Sequence, residues 1–137
     1  MIATIEPIIE TLEALETDLD RYEYLMELGD SLLTVDDIIK EENFVAGCQS
    51  SVWVTHEYTE DNTLQYFAHS DSKLVKGLLH ILTEAFSGYY PLDMMNFNTA
   101  SIQKIPLGAQ LSMQRQIGMM SVFKRFQQIA KQYTASA

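Results

Sequence analysis

Ile5, Ile8, Ile9, Leu12 and Leu15 recur at intervals of three and four, and Leu19, Tyr22, Leu25 or Met26, and Leu28 repeat that spacing, which is the period of an amphipathic helix. Two helices, separate or continuous, therefore open the chain. Gly29 is expected to supply the left-handed residue that ends them, before a segment of turn formers and acids beginning at Asp30-Ser31. From Ser51 the period drops to two: Val52, Val54, His56 and Tyr58 fall on one side, and Ser51, Trp53, Thr55 and Glu57 on the other, as in a strand. Glu60-Asp61-Asn62 turns the chain, and Leu64, Tyr66 and Ala68 then alternate with Gln65, Phe67 and His69, so an antiparallel hairpin is the simplest reading. A short third strand is expected near Asn43 to Ala46, and Trp53 is expected to anchor the sheet in the core.

Helical periodicity returns after the hairpin. Ser70 or Asp71 is the expected cap of a helix whose apolar residues Leu74, Val75, Leu78, Leu79, Ile81, Leu82, Ala85 and Phe86 cover more than one face, the pattern of a central, buried helix. Gly88 ends it and Pro91 suits the first turn of a short helix; Ser112 is the expected cap of a long final helix holding Met119, Val122, Phe123, Phe126, Ile129, Ala130 and Tyr133. The chain has no internal repeat, low-complexity tract or Gly/Ser linker. The expected architecture is α+β, one domain over residues 1–137, with a small antiparallel sheet of two long strands and a short third flanked by helices.

Composition narrows the function classes. With 47% hydrophobic and 20% charged residues, the chain has the apolar content of a globular domain. Its net charge of −10 provides no basic patch to displace counterions from phosphates, which argues against nucleic acid as a partner. The acidity is localised: residues 1–42 hold 13 acidic and 2 basic side chains, and the remainder 6 and 7. A solvated acidic face explains that asymmetry more simply than a docking surface does. Met1 to Glu10 lacks the basic and apolar regions of a signal peptide and is too acidic for a transit peptide. The longest apolar stretches fall far below the roughly 18 residues of a membrane span. A soluble, cytoplasmic protein is expected, with no membrane partner.

Cys48 is the only cysteine, so its thiol has no internal disulfide partner and a reducing compartment is its natural setting. It lies in a loop between the acidic segment and the first strand, after Gly47, which permits a tight or positive-φ turn, and before Gln49, Ser50 and Ser51, which offer donors to a thiolate. On residue chemistry alone, a cysteine beside Val45, Ala46 and Val52 is most often a small buried hydrophobe. His56, His69 and His80 show no ligand spacing with it, so no metal site is expected. Dithiol redox chemistry lacks a second cysteine, and a cysteine hydrolase would need a histidine beside Cys48. Paired-carboxylate hydrolysis and a phosphate-binding Gly loop find no support either.

The segment Asn43-Phe44-Val45-Ala46-Gly47-Cys48-Gln49-Ser50-Ser51-Val52-Trp53 resembles the sulfur-acceptor loop of the SufE/CsdE family, N-x-V-x-G-C-Q-S-x-V-W. Three further blocks resemble the family in the same order: Tyr24 to Gly29, Ser70 to Leu78, and Arg115 with Gly118. Phe44, His69, Ser72, Met113-Gln114 and Ile117 depart from its usual residues.

The resemblance implies a sulfur acceptor, not itself an enzyme, that takes persulfide sulfur on Cys48 from a cysteine desulfurase of SufS or CsdA type, stimulates that enzyme, and relays the sulfur toward an iron-sulfur scaffold or another acceptor. It implies a supporting loop of Gly47, Gln49 and Ser50, and Arg115 as support for the thiolate or persulfide, although an ordinary salt bridge would also explain Arg115. Asp71 and Lys76 become candidates for the partner interface, although a helix cap and a solvated lysine explain them as well. The chain would carry no cofactor, since pyridoxal phosphate belongs to the desulfurase, and would be a monomer or weak homodimer. The alternative is a non-catalytic adaptor that binds a partner through the hairpin and acidic helices.

Overall fold

A computed structural model of the chain describes residues 5–48, 50–98, 100 and 113–134, with side chains in the last segment from residue 116 onward. The amphipathic start forms two helices, α1 (Glu6–Ala14) and α2 (Asp18–Gly29). They are separate because chain-end chemistry intervenes: Thr17 accepts a hydrogen bond from the Asp20 N–H at 3.1 Å and caps α2. Arg21 reaches back to donate to the carbonyls of Leu12 and Leu15, which the end of α1 leaves unpaired, and pairs with Asp18 at 3.2 Å.

A 3-10 turn over Glu41–Asn43 leads toward the hairpin of β1 (Val52–Tyr58) and β2 (Leu64–Ser70). The strands pair antiparallel from Val52↔Ser70 to Tyr58↔Leu64, and Asn62 takes the positive φ of 64° that the tight turn requires. Val52, Val54, Leu64, Tyr66 and Ala68 point inward and are buried. The expected third strand is reduced to a single bridge between Phe44 and Trp53, because the 3-10 turn consumes the residues that would extend the ladder. Trp53 does not anchor the core. It lies half-buried on the outer side of the sheet, edge-on to Phe44 at 6.0 Å and beside His69 at 5.8 Å, since its neighbours Val52 and Val54 take the inward positions.

Ser72, one residue past the expected cap, begins α3 (Lys73–Phe86) by accepting from the Val75 N–H at 3.3 Å. Ser70 is fully buried instead, donating to the Ser51 carbonyl at 2.7 Å and accepting from the Ser72 N–H. α3 packs against α2 at close range. A Cβ on Gly77 would lie 1.9 Å from the Leu25 carbonyl oxygen, and one on Gly29 would lie 2.8 Å from the Lys76 Cβ. Gly29 therefore works by absence of a side chain rather than by left-handed backbone: it is the last helical residue and its φ is not positive. Gly88, by contrast, has a φ of 90° after α3, as a terminating glycine should.

The short α4 (Pro91–Asn96) and the long α5 (Met113–Gln132) complete the described elements; the expected cap at Ser112 lies outside the described residues. Gln127 donates to the Met94 and Phe97 carbonyls at 3.2 and 2.7 Å, tying the end of α4 to α5. One hydrophobic cluster joins all five described α-helices and both strands. Tyr66 stacks on Phe126 at 4.0 Å and donates to its carbonyl at 2.8 Å, and Phe86 packs against Phe123 at 5.1 Å. The α+β expectation is met, with a two-stranded sheet backed by α3 and α5.

Candidate functional site

The loop that carries Cys48 rises from a closed base. Val45 donates to the Val52 carbonyl at 2.9 Å, and both side chains are buried in the core. Between them the chain must reverse within a few residues, and Gly47 makes this possible with a φ of 92°. Its backbone lies against α5: a Cβ built there would be 2.7 Å from the Ser121 Oγ. Ser51, at the far limb, is held by Ser70.

This turn directs Cys48 inward. Its sulfur is half-buried and donates to the carbonyl of Gly118 at 3.6 Å. Around it is a small pocket of about 30 Å³, walled by Val52 of β1, by Val75, Leu78, Leu79 and Leu82 of α3, and by Met119 and Val122 of α5. The α3 residues are spaced three and four apart, so one helical face supplies a whole wall. Among the described residues, Ser50 supplies the polar oxygen-bearing side chain at this pocket. Gly118 lies directly against the cysteine: a Cβ there would sit in ordinary contact with the Cys48 Sγ, at 3.6 Å.

Burial pushes the Cys48 thiol above its ordinary value of 9.0, since an apolar wall solvates a thiolate poorly. The S–H···O contact acts in the same direction, because a carbonyl oxygen accepts from a thiol and repels a thiolate. Cys48 is therefore held as a protonated, weakly nucleophilic thiol in this conformation.

Of the residues singled out from the sequence, Gly47, Cys48 and Ser50 meet at this loop. The Gln49 residue and the Arg115 side chain lie outside the described residues. Asp71 is exposed in the turn just after Ser70, and so sits near the far limb of the loop. Lys76 is on the α2-facing side of α3, with its Cβ against Gly29, and not on the face that walls the pocket. The histidines are engaged elsewhere or lie off the pocket. His56 Nε2 is hydrogen-bonded with the Tyr133 hydroxyl, His69 packs on Trp53, and His80 is not among the lining residues. Among the described residues, no three His, Cys, Asp or Glu side chains gather as metal ligands, and no helix is long and apolar enough to cross a membrane.

Two further loop contacts escaped the sequence reading: Ser121 beneath Gly47, and Arg125, whose Nη2 donates to the Phe44 carbonyl at 2.8 Å. With Gly118 they fall at positions three and four apart, which is a legible helical stripe, but nothing local shows that the stripe faces the loop.

The family model described as SufE, Fe-S metabolism associated domain, matches residues 6–130. An uncharacterised SufE-like protein of Rhizobium meliloti is 34% identical over 135 residues, covering 95% of this chain and 96% of its own. The sulfur acceptor protein CsdE of Escherichia coli is 29% identical over 118 residues, covering 85% of this chain and 80% of its own. SufE-like protein 1 of Arabidopsis thaliana, chloroplastic/mitochondrial, is 31% identical over 127 residues, covering 92% of this chain but only 34% of its own. The solution structure of a hypothetical protein from Thermus thermophilus superposes with a TM-score of 0.74 over 96% of each chain at 18% identity, which speaks for the fold alone. A cysteine loop seated between hairpin and last helix, together with a family match running from α1 nearly to the end of α5, places this chain in the SufE family of Fe-S metabolism associated domains.

Proposed function

We propose that this protein is a sulfur acceptor that takes persulfide sulfur onto Cys48 from a cysteine desulfurase, stimulates that enzyme and relays the sulfur into iron-sulfur cluster assembly. The observation that carries the reading is the placement of the chain's only cysteine on a glycine-hinged loop over an apolar pocket. The likeness to the Escherichia coli sulfur acceptor protein CsdE supports it.

The transfer is an exchange at sulfur. The Cys48 thiolate attacks the outer sulfur of the donor persulfide, a new S–S bond forms on Cys48, and the donor S–S bond breaks with its electron pair leaving on the donor cysteine. Nothing is oxidised overall. The thiol proton must be lost first, and Gly118 offers only a carbonyl, so the proton leaves to solvent or to a base on the desulfurase once the loop has lifted off its seat. Lifting is also required for access, because a sulfur directed into the pocket cannot meet a donor cysteine on another protein. Pyridoxal phosphate resides on the desulfurase, of SufS or CsdA type, and the recipient is an iron-sulfur scaffold or another acceptor. A reducing cytoplasm keeps the thiol available, and the chain works as a monomer or weak dimer.

Incubation with a pyridoxal-phosphate-dependent cysteine desulfurase and cysteine, followed by intact mass measurement, is the test. Additions of sulfur mass are expected on the native chain and none on Cys48→Ser. A native chain that gains no sulfur while still binding the desulfurase would replace this reading with that of an adaptor docking through its hairpin and acidic helices.

A further inference from the structure

The cysteine loop is seated on α5 at three points. Gly118 accepts the Cys48 thiol, Ser121 lies beneath Gly47, and Arg125 donates to the Phe44 carbonyl at 2.8 Å across 81 residues of sequence. The spacing of three and four puts all three on one flank of the helix over two turns. α5 itself is fixed, because Met119, Val122, Phe123 and Phe126 are buried in the core. The loop is less anchored: Ala46 and Gly47 are exposed, and the Phe44 side chain is 42% exposed, edge-on to Trp53. The limb is anchored to the core at Val45, which is buried and donates to the Val52 carbonyl, and Phe44 beside it is held largely through its backbone, by the bridge to Trp53 and by Arg125.

A guanidinium on a carbonyl is a charge-assisted hydrogen bond, stronger and more directional than a neutral one. Val45 ties the limb to β1, and the Arg125 bond ties it to α5. Four residues further along that limb, Cys48 depends on this placement to reach the Gly118 carbonyl. If the limb drifts from α5, the thiol loses its acceptor and its apolar cover together, and both changes make it more reactive.

We propose that Arg125 is a positioning residue that holds the Phe44 limb against α5 and so keeps Cys48 seated on Gly118 in its unreactive state. Arg125 does not touch the sulfur; it acts through the loop. The inference deepens the proposed acceptor role, since it names what a docking desulfurase must release. The contact governs the thiol whatever the sulfur donor is, and its test therefore needs no desulfurase.

Alkylation of Cys48 by iodoacetamide, followed by mass across a pH series, reads the seated state directly. Arg125→Ala should react about tenfold faster than the native chain, as expected when one hydrogen bond from a charged donor is lost. The midpoint of its pH–rate profile should move down toward that of a free cysteine, and its melting temperature should stay close to native. Arg125→Lys, which keeps a charged donor, should recover most of the native rate, and Lys124→Ala, which removes the same charge from the adjacent exposed position, should behave as native. If Arg125→Ala does not fold, Arg125→Gln, which shortens the reach, takes its place. A native rate and profile in the folded variant would overturn the proposal, as would equal acceleration in Lys124→Ala. Faster alkylation without sulfur loading from a desulfurase would instead count against the acceptor function.

Discussion

The Cys48 thiol donates to the backbone carbonyl of Gly118 at 3.6 Å, joining residues 70 positions apart. The contact requires the proton on sulfur. With the desolvation that raises the thiol above its ordinary 9.0, it makes the resting loop a store for a thiol rather than a display of a nucleophile.

The first prediction concerns pH. Because the folded-state value is raised, the seated thiol contributes stability that is complete below pH 9.0 and is lost as the pH rises through the higher folded value. The alkylation rate of the native chain should therefore reach half its maximum above pH 9.0, and in strong urea the midpoint should return to the ordinary cysteine value. Equal midpoints in the two states would refute the sheltering.

Gly47 has a φ of 92° and stands where a Cβ would lie 2.7 Å from the Ser121 Oγ. Gly47→Val meets both a backbone conformation that L side chains avoid and a clash, a local cost of about 1–3 kcal/mol. The exposed loop absorbs that cost locally while the core stays packed, but a branched residue that avoids this backbone conformation can no longer serve as the hinge that swings Cys48 between its seat and a docked desulfurase. Sulfur loading from a desulfurase should slow markedly while the melting temperature falls by only a few degrees, on the order expected for a small domain. Full loading activity in Gly47→Val would remove Gly47 as a hinge.

Gly77 is the tightest point between α2 and α3. Its Ala variant would place Cβ 1.9 Å from the Leu25 carbonyl oxygen, a backbone atom that cannot rotate away. The helices must part, at a cost of about 1–3 kcal/mol or more, visible as a lower urea midpoint. A variant as stable as the native chain would show that the helix pair is more compliant than this packing implies.

His56 is hydrogen-bonded with Tyr133, whose ring also stacks on Tyr58 at 4.4 Å, so this cluster fastens the end of α5 to β1. Burial lowers the His56 value below its ordinary 6.5. The sign is opposite to that of Cys48: the stability contributed by neutral His56 is complete above pH 6.5 and is lost as the pH falls through the lowered folded value. Melting temperature should decline on acidification through this range in the native chain, and less steeply in His56→Phe. Identical slopes would remove His56 from the acid response.

Much of this protein was legible before its structure. Periods of three to four and of two located the opening helices, the hairpin, the buried α3 and the final helix, because burial of one face leaves a local signature. The loop motif around Cys48 identified the family through its resemblance, where the residues alone had pointed to a buried hydrophobe. The misreadings share a cause. Gly29 reads as a helix stop but serves a close helix contact, Trp53 reads as core but lies on the outer side of the sheet, and Ser70 reads as a cap but holds Ser51. Each residue has the same local signature in either role.

The sequence by itself determined the elements, the single free thiol and the motif that carries it. The tertiary structure alone decided that the thiol is turned inward onto Gly118, that Val75, Leu78, Leu79 and Leu82 wall its pocket, and that Ser121 and Arg125 meet the loop. Those contacts join segments separated by tens of residues. Their existence depends on how α3 and α5 pack around the hairpin, and no local period records that packing.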